Sequence, residues 1–136
     1  MTVSGILEAA LYVADPAVSA AFYKRLFGFE TLLDTDRLVA LNVAGRDVLL
    51  LFKRGATEEP AALPGGVIPG HGASGRSHLA FSITAADVEP WRQRLAGEGV
   101  AVESTVDWPG GARSLYFRDP DRHLVELITP GFWRIY

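Results

Sequence analysis

The 136-residue chain is 49% hydrophobic and 21% charged, which predicts one globular domain and excludes an intrinsically disordered or membrane-spanning protein. Its 13 basic and 16 acidic residues give a net charge of −3, so it lacks the basic character typical of nucleic-acid-binding proteins. It contains no cysteine, which excludes disulfides and thiolate metal sites and leaves histidine and carboxylate side chains as candidate metal ligands.

The start of the chain carries no sign of a targeting segment. Residues 1–5 lack the basic residues and the long apolar stretch of a signal peptide. No segment approaches the ~18 consecutive apolar residues of a membrane helix, and no long basic run is present to contact an anionic membrane. We therefore expect a cytoplasmic protein with no membrane or nucleic-acid partner.

The first half of the chain predicts a strand, a helix and three further strands. Residues 6–13 form the first strand, and Asp15 then caps a helix that has Pro16 at its first position and ends at Gly28. The three strands that follow are predicted at residues 29–33, 38–43 and 48–52. Val18, Ala21, Phe22 and Leu26 recur at helical spacing, which supports the helix.

The second half repeats this order. A strand at residues 78–83 precedes a helix that Asp87 caps and that Gly97 and Gly99 end. Further strands are predicted at residues 100–104, 114–117 and 124–128. The repeat predicts an α+β fold made of two βαβββ modules, at about residues 5–54 and 76–131, with a Gly- and Pro-rich linker at 55–75 within one domain, 1–136.

Three polar residues stand out on the predicted strands. Alternation of side chains places Glu8, His78 and Glu126 on the sheet face that the helices do not cover. Glu8 and His78 are equivalent in the two modules, whereas Leu50 is the equivalent of Glu126. Two carboxylates and a neutral imidazole suit one divalent ion. The alternative is a sheet face that is simply hydrated, where a single Glu or His is common.

The ordered set of motifs resembles the vicinal oxygen chelate superfamily, which includes glyoxalase I, extradiol dioxygenases, fosfomycin-resistance thiol transferases and bleomycin-binding proteins. The resemblance covers residues 5–133. Its motifs are Leu-Tyr-Val-Ala-Asp at 11–15, Phe-Tyr at 22–23, Leu-Phe-Gly-Phe at 26–29, Ser-His-Leu-Ala-Phe at 77–81, Tyr-Phe-Arg-Asp-Pro-Asp at 116–121 and His-Leu-Val-Glu-Leu at 123–127.

The resemblance implies paired βαβββ modules that form a cupped mixed sheet with helices on its outer face. It implies one divalent ion (Mn, Fe, Co, Ni or Zn) in the cup, held by Glu8, His78 and Glu126. It also implies a homodimer in which each site takes Glu8 from one subunit and the other two ligands from its partner, and it implies a small-molecule substrate.

Two departures from relatives narrow the predicted chemistry. Leu50 stands where glyoxalase I has a fourth ligand, and Glu8 replaces a histidine of extradiol dioxygenases. The acidic ligand set favours a glyoxalase-like lyase or isomerase that acts on a substrate with two adjacent oxygens bound to the metal. The alternatives are a metal-free, ligand-sequestering protein of the bleomycin-resistance type, a dioxygenase, and a thiol transferase.

Further catalytic candidates lie near the insertion at residues 108–113 and in the linker. Arg113 and Tyr116 are candidates for substrate contact, and Glu126 for proton transfer as a loosely held ligand. His71, in a glycine-rich loop, is a candidate acid, base or lid residue. The competing interpretations are a solvated arginine, a tyrosine packed in the sheet and a solvated loop histidine. His123 points away from Glu126 and is expected to be structural.

Overall fold

The computed structural model describes all 136 residues, which divide into two units, residues 1–75 and 76–136. Each unit contains a strand, a helix and three further strands in that order, and each forms its own four-stranded sheet. The predicted α+β class with two βαβββ repeats is therefore confirmed. Neither helix has the length and hydropathy needed to cross a membrane.

In the first unit a mixed sheet is backed by one helix. The elements are β1 (Glu8–Val13), α1 (Pro16–Phe27), β2 (Glu30–Asp34), β3 (Leu38–Val43) and β4 (Asp47–Lys53). The sheet order is β1-β4-β3-β2, with β1 parallel to β4 and the other pairs antiparallel. Helix α1 contacts β3 and β4, and Tyr23 and Leu26 of the helix are fully buried.

Both ends of α1 follow from local sequence. The Asp15 carboxylate accepts a hydrogen bond from the backbone N–H of Ala17 at 2.9 Å, and Pro16 occupies the first helical position. Gly28 ends the helix with a φ of +73°, a left-handed conformation in which its N–H donates to the Lys24 carbonyl. These capping contacts satisfy backbone groups that have no partner within the helix.

The linker between the predicted modules contains a short hairpin that the sequence did not reveal. Strands β5 (Ala61–Leu63) and β6 (Gly66–Ile68) pair antiparallel, with Ala61 opposite Ile68 and Leu63 opposite Gly66. Three-residue strands are too short to show a clear alternation of apolar and polar side chains.

The second unit repeats the arrangement. Its elements are β7 (His78–Ser82), a 3-10 turn (Ala85–Asp87), α2 (Val88–Gly97), β8 (Ser104–Asp107), β9 (Arg113–Arg118) and β10 (Leu124–Ile128). The order is β7-β10-β9-β8, with β7 parallel to β10. Leu95 of α2 and the core-facing side chains of β9 and β10 are fully buried: Leu115, Phe117, Val125 and Leu127.

Two local predictions in this unit are wrong. The strand predicted at 100–104 begins only at Ser104, because the N–H of Val100 still bonds to the Leu95 carbonyl at the end of α2. Asp87 does not cap α2, because its carboxylate instead accepts a hydrogen bond from the Thr84 hydroxyl at 2.6 Å.

The strand registers support the predicted equivalence of the two repeats. Glu8 lies opposite Val48, as His78 lies opposite Leu124. Two residues further on, Ala10 lies opposite Leu50, as Ala80 lies opposite Glu126. The repeats therefore place Glu8 and His78, and also Leu50 and Glu126, at corresponding positions.

The start of β1 is open to solvent, because Leu7, which directly precedes the strand, is 68% exposed.

The two helices allow a matched test of the backbone conformation at glycine. Added Cβ atoms at Gly28 and Gly97 would meet no atom within 4 Å, but only Gly28 has a positive φ. Gly28→Ala should therefore lower the free energy of unfolding by about 1 kcal/mol, since alanine resists the left-handed conformation. Gly97→Ala should raise it by about 0.5 kcal/mol through helix propensity. Urea denaturation measures both free energies. A change of the same sign in the two variants would contradict the left-handed conformation of Gly28.

Candidate functional site

The centre of the candidate site is the carboxylate of Glu126 on β10, a residue that is only 6% exposed. Its Oε1 atom accepts hydrogen bonds from the hydroxyls of Ser114, at 2.5 Å, and Tyr116, at 2.8 Å. The register of β9 against β10 pairs Tyr116 with Glu126, and alternation then puts Ser114 on the same sheet face. Two donors on the neighbouring strand thus stabilise the buried carboxylate.

The hydroxyl of Ser114 extends this network to the turn between β8 and β9. The indole Nε1 of Trp108 donates to the Ser114 Oγ at 2.8 Å, and the Trp108 ring packs against Phe132 with ring centroids 4.5 Å apart. Ser114 therefore accepts from Trp108 while it donates to Glu126. This chain of bonds fixes the direction of the serine hydroxyl.

The second oxygen of Glu126 faces His78. The distance from His78 Nε2 to Glu126 Oε2 is 3.1 Å, and the other ring nitrogen, Nδ1, lies 3.3 Å from the carbonyl oxygen of Leu124. Because a carbonyl can only accept, Nδ1 carries a proton in this bond. In the neutral imidazole Nε2 then has a free lone pair directed at the carboxylate, an arrangement common for metal-binding histidines.

This pair fits a divalent ion. Nε2 and Oε2 lie 3.1 Å apart, and an imidazole nitrogen and a carboxylate oxygen are donor atoms that would hold a divalent ion together. The carbonyl of Leu124 orients the His78 ring, and the hydroxyls of Ser114 and Tyr116 orient the Glu126 carboxylate. The His78 side chain is 50% exposed, so the pair is open to solvent. The chain itself has no group of three His, Asp or Glu that could hold a metal.

Tyr116 remains a donor over a wide pH range. Burial raises the pKa of its phenol above the ordinary value, and the hydrogen bond to Glu126 raises it further. Both effects disfavour the phenolate, which would place a second negative charge beside the carboxylate. The neutral phenol can therefore keep donating its hydrogen bond to the Glu126 carboxylate.

Glu8 and His71, the remaining candidates from the first unit, both line one cavity there. The His71 Nδ1 and the hydroxyl of Tyr12 share a hydrogen bond of 2.6 Å. Thr57 holds the backbone of His71, because its carbonyl accepts from the His71 N–H and its hydroxyl donates to the His71 carbonyl. Hydrogen bonds to Tyr12 and Thr57 thus fix His71 in the wall of the cavity, so it is not a freely solvated loop histidine.

The side chain of Arg113 is already paired with a carboxylate. Its guanidinium bonds to the carboxylate of Asp107, which lies opposite Arg113 in the β8–β9 pair. This hydrogen bond, with the negative charge of Asp107, raises the pKa of Arg113. An anionic ligand would have to compete with Asp107, and the role of Arg113 in substrate contact stays a prediction.

Three residues near the site were missed by the sequence reasoning. Ser114 carries a detectable signal, because it precedes Tyr116 by two positions on one strand and so shares its face. Arg118 and Glu103 form an ion pair with Nε to Oε2 at 2.7 Å, and they line a surface pocket together with His78 and Tyr116. Their pairing depends on the β8–β9 approach, which local sequence does not show.

His123 is a structural residue. It is 1% exposed, and its Nδ1 accepts a hydrogen bond from the N–H of Ser77 at 2.9 Å. The N–H of His123 in turn donates to the carboxylate of Asp119. Because Ser77 directly precedes His78, this contact holds the start of β7 beside β10.

The network around Glu126 predicts a cost for removing Ser114. Ser114→Ala leaves the buried carboxylate with one hydroxyl donor fewer and the Trp108 N–H without its acceptor. We expect a loss of about 1–3 kcal/mol in the free energy of unfolding. Ser104→Ala, at an exposed serine of the adjacent strand β8, should change it by less than about 0.5 kcal/mol. Equal losses in urea denaturation would contradict the network.

The Glu103–Arg118 pair predicts a pH-dependent contribution to stability. The hydrogen bond from Arg118 lowers the pKa of Glu103, so the folded protein holds this proton less tightly than the unfolded chain. The stabilisation is therefore present above the ordinary glutamate pKa of 4.5 and is lost as the pH falls through the lower folded value.

A double-mutant cycle with Glu103→Gln and Arg118→Gln measures this contribution by urea denaturation at several pH values. The coupling between the two substitutions should be small and favourable near neutral pH, because the pair is partly exposed, and should vanish in strong acid. Coupling that does not change with pH would show that the charge of Glu103 is not its source.

Comparisons with known proteins identify relatives of this chain. The chain is 35% identical to lactoylglutathione lyase from Agrobacterium tumefaciens, whose crystal structure matches with a TM-score of 0.89 over 98% of this chain and 99% of that one. It is also 29% identical to metallothiol transferase FosB from Bacillus licheniformis over 126 residues. This match covers 92% of this chain and 75% of that protein.

A more distant structure shares the fold. The fosfomycin resistance protein FosX from Listeria monocytogenes is 23% identical and matches with a TM-score of 0.71 over 96% of this chain and 97% of that one. A family model matches residues 5–127, nearly the whole chain. The chain therefore belongs to the Glyoxalase/Bleomycin resistance protein/Dioxygenase superfamily.

Proposed function

We propose that this protein is a divalent-metal-dependent, glyoxalase-like enzyme of the lyase or isomerase type. The metal ligands in this proposal are Glu8, His78 and Glu126. The observation that carries it is the His78–Glu126 pair, in which Nε2 and Oε2 are 3.1 Å apart. Each of these side chains also bonds through its other polar atom to a neighbouring strand. The 35% identity with a lactoylglutathione lyase supports the reaction type.

The third proposed ligand comes from the other unit. Glu8 begins β1 and is exposed, so its carboxylate is available to a ligand. We place it with His78 and Glu126 of a partner subunit in a homodimer with sites between subunits. Two carboxylates and one neutral imidazole would neutralise a divalent ion. Mn, Fe, Co, Ni and Zn all suit such a set, since metal supply and geometry decide among them.

A divalent ion held by these residues supplies a Lewis acid that polarises two adjacent oxygens of a bound molecule. Tyr116 donates a hydrogen bond at this position, and its raised pKa keeps the phenol neutral. The exposed imidazole of His78 leaves room for a substrate beside the pair. Glu126 Oε2 and His71 Nε2 are the candidate sites for accepting and returning a proton.

The similarity to a metallothiol transferase supports a second candidate function. At 29% identity to a metallothiol transferase, this chain is also a candidate for metal-dependent thiol transfer to a small molecule. Activity that requires an added thiol would favour this function over the lyase or isomerase. Oxygen consumption with Fe would instead indicate a dioxygenase, and ligand binding without any metal would indicate a sequestering protein.

The metal site predicts a distinct pattern among carboxylate variants. Wild-type protein and Glu103→Ala should each bind one equivalent of divalent metal per chain, whereas Glu126→Ala and Glu8→Ala should lose it. Metal at 100 times its Kd should stabilise the wild type by about 2.7 kcal/mol, and chelation should remove this gain. Elemental analysis and thermal unfolding, before and after chelation, measure both quantities.

The control is matched because Glu103 is a carboxylate of the same unit that bonds to Arg118 rather than to Glu126. Wild-type protein that holds no metal, and that shows no thermal shift with any of the five ions, would rule out the enzyme proposal. Metal retained in Glu8→Ala but lost in Glu126→Ala would remove Glu8 from the ligand set.

A further inference from the structure

The first unit contains a cavity of about 790 Å³, and every residue that lines it lies between residues 1 and 75. This volume falls within the roughly 300–1,000 Å³ range of small-molecule sites. Most of its wall is apolar and comes from the sheet and from the β5–β6 hairpin: Leu33, Leu38, Leu50, Phe52, Leu63 and Ile68. The cavity therefore suits an apolar body.

The repeat shows that this apolar wall occupies the positions used for polar chemistry in the second unit. The registers make Leu50, Ala40 and Leu38 the equivalents of Glu126, Tyr116 and Ser114. The hydrogen-bonded carboxylate of one sheet is thus replaced by aliphatic side chains in the other. The two equivalent faces therefore suit different parts of a ligand.

The charged residues of the cavity favour one sign of ligand charge. Away from Glu8, which lies at the end assigned to the metal, two exposed carboxylates, of Asp36 and Glu59, line the cavity against the single guanidinium of Arg37. An anionic ligand would meet net repulsion, and its transfer to an apolar wall would cost further desolvation. An uncharged molecule avoids both penalties.

The ring of His71 provides a hydrogen-bonding group in the cavity wall. The His71 ring packs edge-on against Phe52 with ring centroids 4.8 Å apart, and its Nδ1 bonds to Tyr12. The Nε2 of this ring makes no hydrogen bond within the protein. A ligand in the cavity can therefore gain one directional hydrogen bond, which would set its orientation.

We infer that this cavity binds an uncharged organic molecule with an apolar body and one hydrogen-bonding group near His71. The molecule is the substrate of the proposed reaction, with Glu8 at the end that meets the metal. The substrate role rests on the proposed function, whereas binding to the cavity needs no metal.

Two fluorescent probes that differ by one charged group test the charge preference. N-phenyl-1-naphthylamine is uncharged and apolar, and 8-anilino-1-naphthalenesulfonate is the same skeleton with a sulfonate. The neutral probe should bind the chelated wild-type protein with one site per chain and at least about tenfold tighter than the sulfonate. Chelation removes any metal before the measurement, so failure of the metal site does not obscure this result.

Neighbouring residues of the hairpin provide matched variants. Ala61 lines the cavity and Ala62 does not, so Ala61→Phe should weaken the neutral probe at least about tenfold while Ala62→Phe leaves it unchanged. A second pair places a charge at exposed positions of the hairpin. Leu63→Asp should weaken the probe and Val67→Asp should not, since only Leu63 lines the cavity.

Absence of neutral-probe binding, a preference for the sulfonate, or equal effects within each variant pair would overturn the inference. These outcomes are separate from loss of metal, which chelation already removes.

Discussion

A carboxylate that is 6% exposed constrains the second unit more than any other group. An isolated ionised carboxylate in apolar surroundings would be strongly destabilised, so Glu126 requires donors or a cation. Ser114 and Tyr116 supply donors to one oxygen, and His78 faces the other at 3.1 Å. The register of β9 against β10 brings both donors to the carboxylate, and Trp108 fixes the direction of the serine hydroxyl. Burial raises the pKa of Tyr116, and the hydrogen bond to Glu126 raises it further.

The two repeats show how one backbone plan can carry different chemistry. Their strand orders and registers correspond, with a parallel pair formed by the first and last strands of each unit. Side chains on the corresponding sheet faces differ, because Leu50 stands where the other unit has Glu126. In the proposed function the polar face holds the metal, and in the further proposal the apolar face holds the body of the ligand. Glu8 and His78 occupy equivalent positions in the two faces.

Membership of the superfamily and the geometry of the site limit the chemistry in complementary ways. The family includes lyases, thiol transferases and dioxygenases, which are similar in fold and differ in ligands and pockets. The proposed Lewis-acid chemistry rests on the paired His78 and Glu126 and the neutral Tyr116. The proposal of an uncharged ligand rests on the apolar wall and the carboxylates of the first-unit cavity. The Asp107 partner of Arg113 disfavours a role for that guanidinium in anion binding.

The sequence by itself determined the features that depend on neighbours along the chain. The caps of α1 at Asp15 and Gly28, the alternation within β1 and β10, and the repeat that makes Glu8 equivalent to His78 could all be predicted, because each is set within a few residues or by direct comparison of the two halves. Only the tertiary structure decided which strands pair and in what register. Cross-strand pairing brought Ser114 and Tyr116 to Glu126 and Arg113 to Asp107. It also formed the β5–β6 hairpin beside the cavity. These contacts depend on residues distant in sequence, whose approach no local pattern specifies.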